Sequence, residues 1–442
     1  MKDGLIQQVD TPQNLYDYPA NLFVAGFIGT PQMNFFDAKL VKVDGKYAVE
    51  LGGQTVVLSE DKQARLAANN VVEQDVTLGV RPEHMDISES GIDGRVDVSE
   101  LMGASIHLHI SAANKDVIAR YGKKLFDIAG QHNADIMFEG AVCGGIPIIG
   151  PMKSSMAANE IHSIMGIVNG TTNYMLSKMT DEGMDYATVL KEAQDKGYAE
   201  SDPTADVGGF DAARKAVILA SIAFNMAISM KDVDINGIES VDACDIEYAS
   251  RLGYAVKLLA IAKNDPENGV SISVSPTMIP KKHPLASVSG AYNAVYVNGD
   301  AIGEAMFLGL GAGRFPTASS VVGDIMEAAR NLINNDKGRI GYACYKEKKI
   351  CSPENNVFPS YIRLSVLDKP GVLAAIASVF GSQSVSIRNV IQTNERGKTA
   401  DLVFVTHAVS AANLKMALQI LEVLPVVDKI SCIIRVEDSS NG

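Results

Sequence analysis

A cluster of acidic side chains leads to one lysine near the middle of the chain. The segment AQDKGYAESDPTADVGGFDAARK spans residues 193–215, and four carboxylates within twelve of its residues lead to one amine: Glu200, Asp202, Asp206, Asp211 and then Lys215. Carboxylates can hold the ammonium group of a small zwitterion, while a protonated lysine can give a proton to a developing alkoxide. The segment therefore predicts a site for chemistry on a small amino-acid-like substrate.

The spacing of Asp211 and Lys215 supports this interpretation. They are four residues apart at the start of the predicted helix DAARKAVILASIAFNMAI, so their side chains share one face and can pair. The alternative is a helical salt bridge beside an acidic turn. Glycines and Pro203 fix the preceding loop, and the pair opens the helix with Asp211 in its first turn, where a negative charge complements the helix dipole. These features favour a functional site over a merely structural salt bridge.

Composition limits the function classes. The chain has 442 residues, 47% of them apolar and 21% charged, which is typical of a soluble globular protein with two or three domains. A formal charge of -13 disfavours nucleic acid as a partner. No apolar run is long enough to cross a membrane, and the start MKDGLIQQVD lacks a signal-peptide pattern. Five dispersed cysteines predict reduced thiols in a cytoplasm.

The first part of the chain is rich in strand signals. LVKVDGKYAVEL (residues 40–51) has two alternating runs around Asp44 and Gly45, which is a hairpin signature. Further short strands predict a small all-β barrel over residues 33–110. Before it, we expect a short helix at Pro12 to Tyr16 and a second one after Pro19.

From Lys115 onward, helices and strands alternate, which predicts an α/β or α+β core. We expect a helix over residues 115–131, a buried strand over 134–142, and a polar, solvated linker over 334–356. The last part follows the order βαββαβ of a ferredoxin-like domain.

The acidic segment also carries a family resemblance. Its pattern A-x3-G-Y-A-x2-D-P-x2-D-V-x-G-x-D-x3-K resembles the signature of homoserine dehydrogenase at every position. Four further stretches resemble motifs of the same family: AANK (112–115), FEGAVCGGIPII (138–149), GIVNGTTNYML (166–176) and GLGAGRFPTA (309–318). LDKPGVL (367–373) resembles the ACT domain that follows many of these enzymes.

The resemblance implies a role for each matching residue. Lys215 would be the proton donor, and Glu200, Asp206 and Asp211 would hold L-homoserine or L-aspartate 4-semialdehyde. Lys115 would stand at the junction of cofactor and substrate. Gly311 would lie in a tight loop near the cofactor end. A monovalent cation, sodium, would be bound largely by backbone carbonyls at four positions: Glu139, Val142, Gly144 and Ile146.

The implied reaction is a hydride transfer between NAD or NADP and the terminal carbon of aspartate semialdehyde, on the way to threonine and methionine. The cofactor would carry the hydride, and the protein would position the reactants and stabilise the charge that develops. The family also implies a homo-oligomer and threonine as a ligand of the ACT domain.

Residues 1–110 resemble an unrelated protein family. GLIQQVDTPQNLYDYPANLFVAGFIGTPQMNF (4–35), LGVRPEH (78–84) and ELMGASIHLH (100–109) look like the C-terminal part of a sugar-importer ABC transporter ATPase, which includes its small regulatory barrel. The Walker A loop is absent from the sequence, so we expect no ATPase activity.

The dinucleotide fingerprint G-x-G-x-x-G is also missing, since GLGAGR (309–314) has the wrong spacing and context. We therefore expect very weak nicotinamide affinity and very low turnover. We also expect the helix at 115–131 to have lost the sheet on which it would pack. The alternative is a non-catalytic fusion that binds an amino acid and a transporter partner.

The expected fold class is thus multidomain α/β and α+β. The expected domains follow the chain in order: the end of an ATPase domain (1–32), the β-barrel (33–110), a remnant of a dinucleotide-binding Rossmann domain (111–149), the catalytic domain (150–330), a linker (331–358) and the ACT domain (359–442).

Overall fold

The computed structural model describes residues 6–28, 33–51, 54–80, 115–131, 134, 136–334, 344, 346–396 and 399–438. The chain forms two compact units, Met1–Ser99 and Glu100–Gly442.

The first unit begins with the two predicted helices, α1 (Pro12–Asp17) and α2 (Leu22–Phe27). Each begins after a residue whose side chain accepts a backbone hydrogen bond, Thr11 for α1 and Asn21 for α2. An antiparallel sheet follows, with strand order β3–β2–β1–β4. Its elements are β1 (Asn34–Val43), β2 (Lys46–Leu51), β3 (Gln54–Val57), α3 (Glu60–Ala68) and β4 (Gln74–Val80).

The predicted hairpin between β1 and β2 is confirmed. Val43 pairs with Lys46 across a two-residue turn, and Asp44 and Gly45 have φ of 50° and 77°. Positive φ at both turn residues is the type I′ geometry that the Asp-Gly pair favours. These strands form an open sheet. The remainder of the predicted 33–110 barrel falls largely on residues 81–114, outside the described part of the chain.

The second unit is built on one ten-stranded sheet, with β10–β9–β5–β7–β8–β16–β12–β14–β13 in order and β6 beside β8. Its first elements are α4 (Lys115–Gln131), α5 (Ile149–Lys153), β5 (Ile161–Ile167), α6 (Gly170–Glu182), α7 (Tyr186–Asp195), α8 (Thr204–Val207), α9 (Phe210–Phe224), β6 (Val233–Ile235), α10 (Ala243–Arg251), β7 (Tyr254–Asp265), β8 (Gly269–Pro280), β9 (Tyr292–Gly299), β10 (Gly303–Leu310) and α11 (Arg314–Ile333).

The last elements have the predicted βαββαβ order, with one extra pair of short strands. They are β11 (Val357–Phe358), β12 (Ser360–Leu367), α12 (Val372–Ser382), β13 (Ile387–Arg396), β14 (Thr399–Thr406), β15 (Val409–Ser410), α13 (Ala411–Glu422) and β16 (Val427–Val436). The ferredoxin-like prediction is confirmed. Its sheet is continuous with the preceding one, because β16 pairs in parallel with β8.

Most of the described residues of the polar segment before β11 are exposed, and some of them also bind to the second unit. Val270 of β8 donates to Lys349 and accepts from Cys351, and the side chain of Lys348 pairs with Asp232 at 2.6 Å. Cys351 is buried. The charge run is therefore attached along its described part to the body of the second unit.

Helix α4 forms as predicted, but its apolar face is not left without a packing partner. Ile118 and Phe126 are buried in the main core, and Lys115 and Asp116 pair with Asp211 and Arg214 of α9. Helix α4 thus packs against α9 and not against the sheet that we expected it to have lost.

The predicted strand over residues 134–142 is wrong. Residues 136–138 are not in a strand, and Glu139–Ala141 forms a 3-10 turn. Phe138 is buried before this turn. The turn is held because both carboxylate oxygens of Glu139 accept backbone N–H groups from the start of α5.

Among the described residues, no helix combines the length and apolar character needed to cross a bilayer.

Candidate active site

The amine of Lys215 lies at the end of β5. Its Nζ donates to Oδ2 of Asp211 at 2.8 Å and to the carbonyl of Val168 at 2.7 Å. The lysine side chain is 12% exposed. Gly209, with φ of 80°, turns the chain into α9 directly before the pair. The predicted pairing of Asp211 and Lys215 is confirmed, and it opens the helix.

A second lysine binds the other oxygen of the same carboxylate. Nζ of Lys115 lies 2.7 Å from Oδ1 of Asp211, whose side chain is 8% exposed. Lys115 is brought here by α4, which is anchored to α9 by the adjacent ion pair between Asp116 and Arg214. One buried carboxylate is thus shared by two ammonium groups, and an ammonium group suits a developing alkoxide.

Asn169 joins two of the three predicted substrate carboxylates. Its Nδ2 donates to Oδ1 of Asp206 at 2.7 Å and to Oδ2 of Asp211 at 2.9 Å. Its Oδ1 accepts from the backbone N–H of Thr172 at 2.9 Å, so the same side chain caps α6. The motifs of the sequence do not predict a role for Asn169. An asparagine directly after a buried strand and before a helix was the available signal.

The charges of the cluster stabilise one protonation state. Burial alone would raise the pKa of Asp211, but the charges of Lys215 and Lys115 outweigh it and hold this pKa well below its ordinary value. Burial alone would lower the pKa of Lys215, but the charge of Asp211 raises it above its ordinary value. Burial raises the pKa of Asp206. Lys215 is therefore an ammonium group and Asp211 a carboxylate at neutral pH.

Two of the acidic residues do not join the cluster. Glu200 is exposed, and its hydrogen bond comes from Gln194 to its backbone carbonyl at 3.0 Å. The carboxylate of Asp202 accepts from the backbone N–H and hydroxyl of Thr204, which closes a local turn.

Models of four protein families match the chain. The homoserine dehydrogenase model matches residues 147–326 and the ACT domain model matches residues 360–426. The MalK OB fold domain model matches residues 29–85, and the TOBE domain model matches residues 78–124. The expected ABC-transporter-like part at the N-terminal end is thereby supported.

Curated relatives extend the match over most of the chain. A homoserine dehydrogenase of Corynebacterium glutamicum is 38% identical over 423 residues, which cover 93% of this chain and 94% of the relative. One of Synechocystis is 44% identical over 336 residues, which cover 74% and 78% of the two chains. The chain belongs to the homoserine dehydrogenase family.

Solved structures agree with this membership. A homoserine dehydrogenase of Thiobacillus denitrificans has a TM-score of 0.70 at 39% identity, covering 74% of this chain and 75% of that one. One of Staphylococcus aureus has a TM-score of 0.56 at 32% identity, covering 76% and 78%. Asn169, Asp206, Asp211 and Lys215 fall within the residues that the homoserine dehydrogenase model matches, and Lys115 precedes them.

The residues predicted to hold a monovalent cation lie around a tight turn. The carboxylate of Glu139 accepts from the backbone N–H groups of residues 148–150 at 2.6–2.8 Å, and the carbonyl of Gly144 accepts from the hydroxyl of Ser320 at 2.6 Å. Both side-chain oxygens of Glu139 are therefore already engaged. A cation here would have only backbone carbonyls as ligands. The oxygen atoms of this turn therefore fit a monovalent cation only in part.

Gly311 packs against the same turn. A Cβ on Gly144 would meet the carbonyl oxygen of Gly311 at 2.7 Å, and a Cβ on Gly311 would meet Nδ2 of the fully buried Asn293 at 2.0 Å. These glycines are needed for the close approach of the two loops to each other.

The described residues do not fit the phosphate half of a dinucleotide. Parallel pairing in the large sheet is confined to β6 and β16, both beside β8, and all other pairs among the described strands are antiparallel. A dinucleotide fold needs adjacent parallel strands with a glycine-rich turn into a helix. Homoserine dehydrogenases use NAD or NADP.

Proposed function

We propose that the chain interconverts L-homoserine and L-aspartate 4-semialdehyde, with Lys215 as the acid and base. One observation carries the proposal: a largely buried ammonium group is held between the carboxylate of Asp211 and the carbonyl of Val168. A lysine fixed in this way can give a proton to an aldehyde oxygen as that oxygen becomes an alkoxide.

The same residues account for both directions. During aldehyde reduction Lys215 gives up a proton, and the neutral amine stays beside Asp211. During homoserine oxidation that amine accepts the hydroxyl proton, and Asp211 stabilises the ammonium group that forms. The nicotinamide cofactor, when bound, supplies or accepts the hydride.

The substrate ammonium group would be held by carboxylates. Asp206 is half-buried and has one oxygen on Asn169, which fixes its orientation. Glu200 is proposed as a second ligand, because its exposed carboxylate is available to substrate. Lys115 and Gly311 are proposed at the cofactor side of the site.

We infer further that the affinity of this chain for the nicotinamide cofactor is weak and its turnover low. The sequence lacks G-x-G-x-x-G, and the described sheet lacks the adjacent parallel strands of a dinucleotide fold. Steady-state kinetics of homoserine-dependent NADP⁺ reduction by the purified chain should give a rate that saturates with homoserine but not with millimolar NADP⁺. Ordinary saturation by micromolar NADP⁺ would overturn the weak-affinity inference. No homoserine-dependent rate from folded protein would overturn the proposed activity and favour a non-catalytic binding protein.

A sodium ion is proposed at the turn of residues 139–146, bound by the backbone carbonyls of Glu139, Val142, Gly144 and Ile146. The positive φ of Cys143 and Gly144, 55° and 36°, supports a turn that can direct successive carbonyls to one point. The test is melting temperature in sodium against choline chloride at equal ionic strength. A rise of the melting temperature in sodium alone is expected, and equal values would contradict the site.

The chain is also proposed to form a homo-oligomer in a cytoplasm, with threonine as an ACT-domain ligand. Leu308 and Leu310 on the edge strand β10 are exposed, which supports burial against a second copy. All five cysteines are free thiols, which supports a reducing compartment. Light scattering on the purified chain should give a mass above that of one chain, and the monomer mass would contradict the oligomer.

A further inference from the structure

One buried lysine has only neutral hydrogen-bond partners. Lys257 of β7 is 5% exposed, and its Nζ donates to the carbonyl of Val288 at 2.6 Å and to Oδ1 of Asn173 at 3.3 Å. Within the part of the chain that the structure describes, no carboxylate lies close enough to form an ion pair with it. A buried ammonium group without a counter-charge lowers stability, which a methionine of similar length would not do. Lys257 therefore needs an explanation other than stability.

The surroundings of Lys257 contain little charge. In the alternation of β7, Lys257 falls on the face of Leu259, away from the face on which α9 and α10 pack. β8 has no charged residue, and residues 284–291, which lead to β9, have none either. The charged and titratable side chains on the neighbouring elements are Tyr174, Lys178, Asp181 and Glu182 of α6, His162 of β5, Lys281, Lys282 and His283 after β8, and Tyr292 and Tyr296 of β9.

Lys257 sets the direction of an amide that holds a loop. An ammonium group can only donate hydrogen bonds, so Oδ1 of Asn173 faces Lys257 and Nδ2 faces away from it. That Nδ2 donates to three carbonyls of the loop formed by residues 288–292, which are those of Val288 at 3.3 Å, Gly290 at 3.0 Å and Tyr292 at 3.1 Å. The carbonyl of Val288 also accepts from Lys257, so both side chains bind the start of the 288–292 loop.

The 288–292 loop lies against the helix that Asn169 caps. A Cβ on Gly170, the first residue of that helix, would meet the carbonyl oxygen of Ala291 at 2.8 Å, so the two segments approach each other closely. Directly after the loop, Asn293 is fully buried and packs against Gly311, where a Cβ would meet its Nδ2 at 2.0 Å. The loop is therefore fixed between the proposed substrate side and the proposed cofactor side of the site.

We propose that Lys257 is a positioning residue for substrate binding: its ammonium group fixes Asn173 and the 288–292 loop, which keep Asn169 and its bound carboxylates in place. Lys257 acts through these groups and is not itself a ligand of the substrate. The inference rests on the homoserine-binding site proposed above. Because Lys215 and its hydrogen bonds are not altered, loss of the Lys257 ammonium group should weaken homoserine binding more than it lowers kcat.

The protonation state of Lys257 makes this role depend on pH. Burial lowers the pKa of Lys257 to about 8, although the charge of the exposed Asp181 raises it. None of the other neighbouring side chains contributes to this pKa. Lys257 thus loses its proton in the native state above about pH 8, whereas the unfolded chain keeps it up to about pH 10.4. Because the unfolded state then binds more protons, this lysine makes the free energy of unfolding rise with pH between those values.

Calorimetry of L-homoserine binding to the full chain, at about pH 7 and about pH 9, tests the role. At the lower pH, Lys257→Met should raise the Kd about tenfold, the loss expected for a hydrogen bond from a charged group. At the higher pH the ratio of variant to wild-type Kd should fall toward one, because the wild-type amine is then mostly neutral. This ratio cancels the titration of homoserine itself. Lys263→Met changes a half-buried lysine of the same strand β7 and should leave the Kd unchanged.

Two further measurements separate positioning from a structural role. Lys257→Gln keeps a neutral donor, so it should recover part of the lost affinity at neutral pH. The melting temperature of Lys257→Met at neutral pH should equal or exceed that of the wild type, because a buried charge is removed. A melting temperature well below that of the wild type, or an unchanged Kd at neutral pH, would overturn the proposal. No homoserine binding by folded wild-type protein would overturn the proposed dehydrogenase function and this inference with it.

Discussion

The side-chain amide of Asn169 donates to the carboxylate of Asp211 at 2.9 Å, through the same oxygen that binds Lys215. The other oxygen of Asp211 binds Lys115, and the same amide also holds Asp206. The amide of Asn169 thus binds Asp206 and Asp211 directly, and it is linked to the two lysines only through the carboxylate of Asp211. Lys215, the proposed acid and base, and Asp206, a proposed substrate ligand, are therefore linked through Asp211 and the uncharged amide of Asn169.

Replacing Asn169 by leucine should reduce both stability and turnover. The variant loses the cap of α6 and two hydrogen bonds to carboxylates, which together amount to roughly 2 to 4 kcal/mol. Turnover should fall about 10- to 100-fold, because Asp206 and Asp211 lose their orientation. Urea unfolding and steady-state kinetics measure the two effects. Asn169→Asp keeps the capping oxygen but places a third carboxylate against Asp206 and Asp211, so it should recover neither the stability nor the turnover. Wild-type turnover in Asn169→Asp would contradict the proposed role of the amide.

Lys215→Met should remove acid–base catalysis while leaving the fold intact. We expect kcat for homoserine oxidation to fall roughly 100- to 10,000-fold, the usual contribution of a positioned proton-transfer group. Lys191→Met changes an exposed lysine of α7 and is the matched control, with kcat unchanged. Circular dichroism checks the fold of both. If Lys215→Met keeps more than about a tenth of the wild-type kcat, Lys215 is not the acid and base.

The carboxyl group of Asp324 in α11 should lower the free energy of unfolding as the pH rises from mildly acidic to neutral. Burial raises its pKa to about 7, although its carboxylate accepts from the N–H of Glu139 at 3.0 Å. Since this pKa is raised above the unfolded value, the native state binds the extra proton between about pH 4 and pH 7. The free energy of unfolding therefore decreases as pH rises through that window.

Asp324→Asn should remove this decrease. At pH 8 the variant should be more stable than the wild type by about 1 to 2 kcal/mol. This difference is smaller than the full pKa shift of Asp324 implies, because its carboxyl group is partly solvated. Thermal unfolding from pH 4 to pH 8 measures the slope, with the exposed Asp195→Asn as the control. The same slope in wild type and Asp324→Asn would show that another group is responsible.

Arg363→Met should destabilise the contact between the catalytic and ACT segments. Arg363 of β12 is 3% exposed and binds Oδ1 of Asp245 in α10 at 2.7 Å, and Asp245 is fully buried. Loss of one partner leaves a buried charge unpaired, which costs about 3 to 5 kcal/mol. Denaturant unfolding measures the loss. Arg251→Met, which removes an exposed ion pair with Glu247 on α10, should cost less than about 1 kcal/mol.

The double variant Arg363→Met with Asp245→Leu tests the reason for the loss. Since it removes both charges, it should recover at least half of the stability that Arg363→Met loses. Equal instability of the single and double variants would mean that lost packing, not an unpaired charge, causes the effect.

Local patterns in the sequence were sufficient for much of the fold. The Asp44-Gly45 turn, the Asp211 and Lys215 pair and the βαββαβ order depend on spacings of two to four residues or on the period of one element. These features are dictated by backbone geometry within a single strand, turn or helix. The family signature in residues 193–215 is likewise contiguous, so the sequence by itself determined the acidic loop and its lysine.

The tertiary structure decided which distant groups meet. Asn169 and Lys115 reach Asp211 only because β5 and α4 both pack against α9, and Glu200 stays exposed although it belongs to the same signature. The turn at Glu139 replaced the predicted strand because its carboxylate caps α5, and β6 and β16 divide one edge of β8 between them. Each of these outcomes depends on competition between segments far apart in the chain for one helix face, one carboxylate or one strand edge. The spacing of residues within one segment does not predict which segment occupies the shared position.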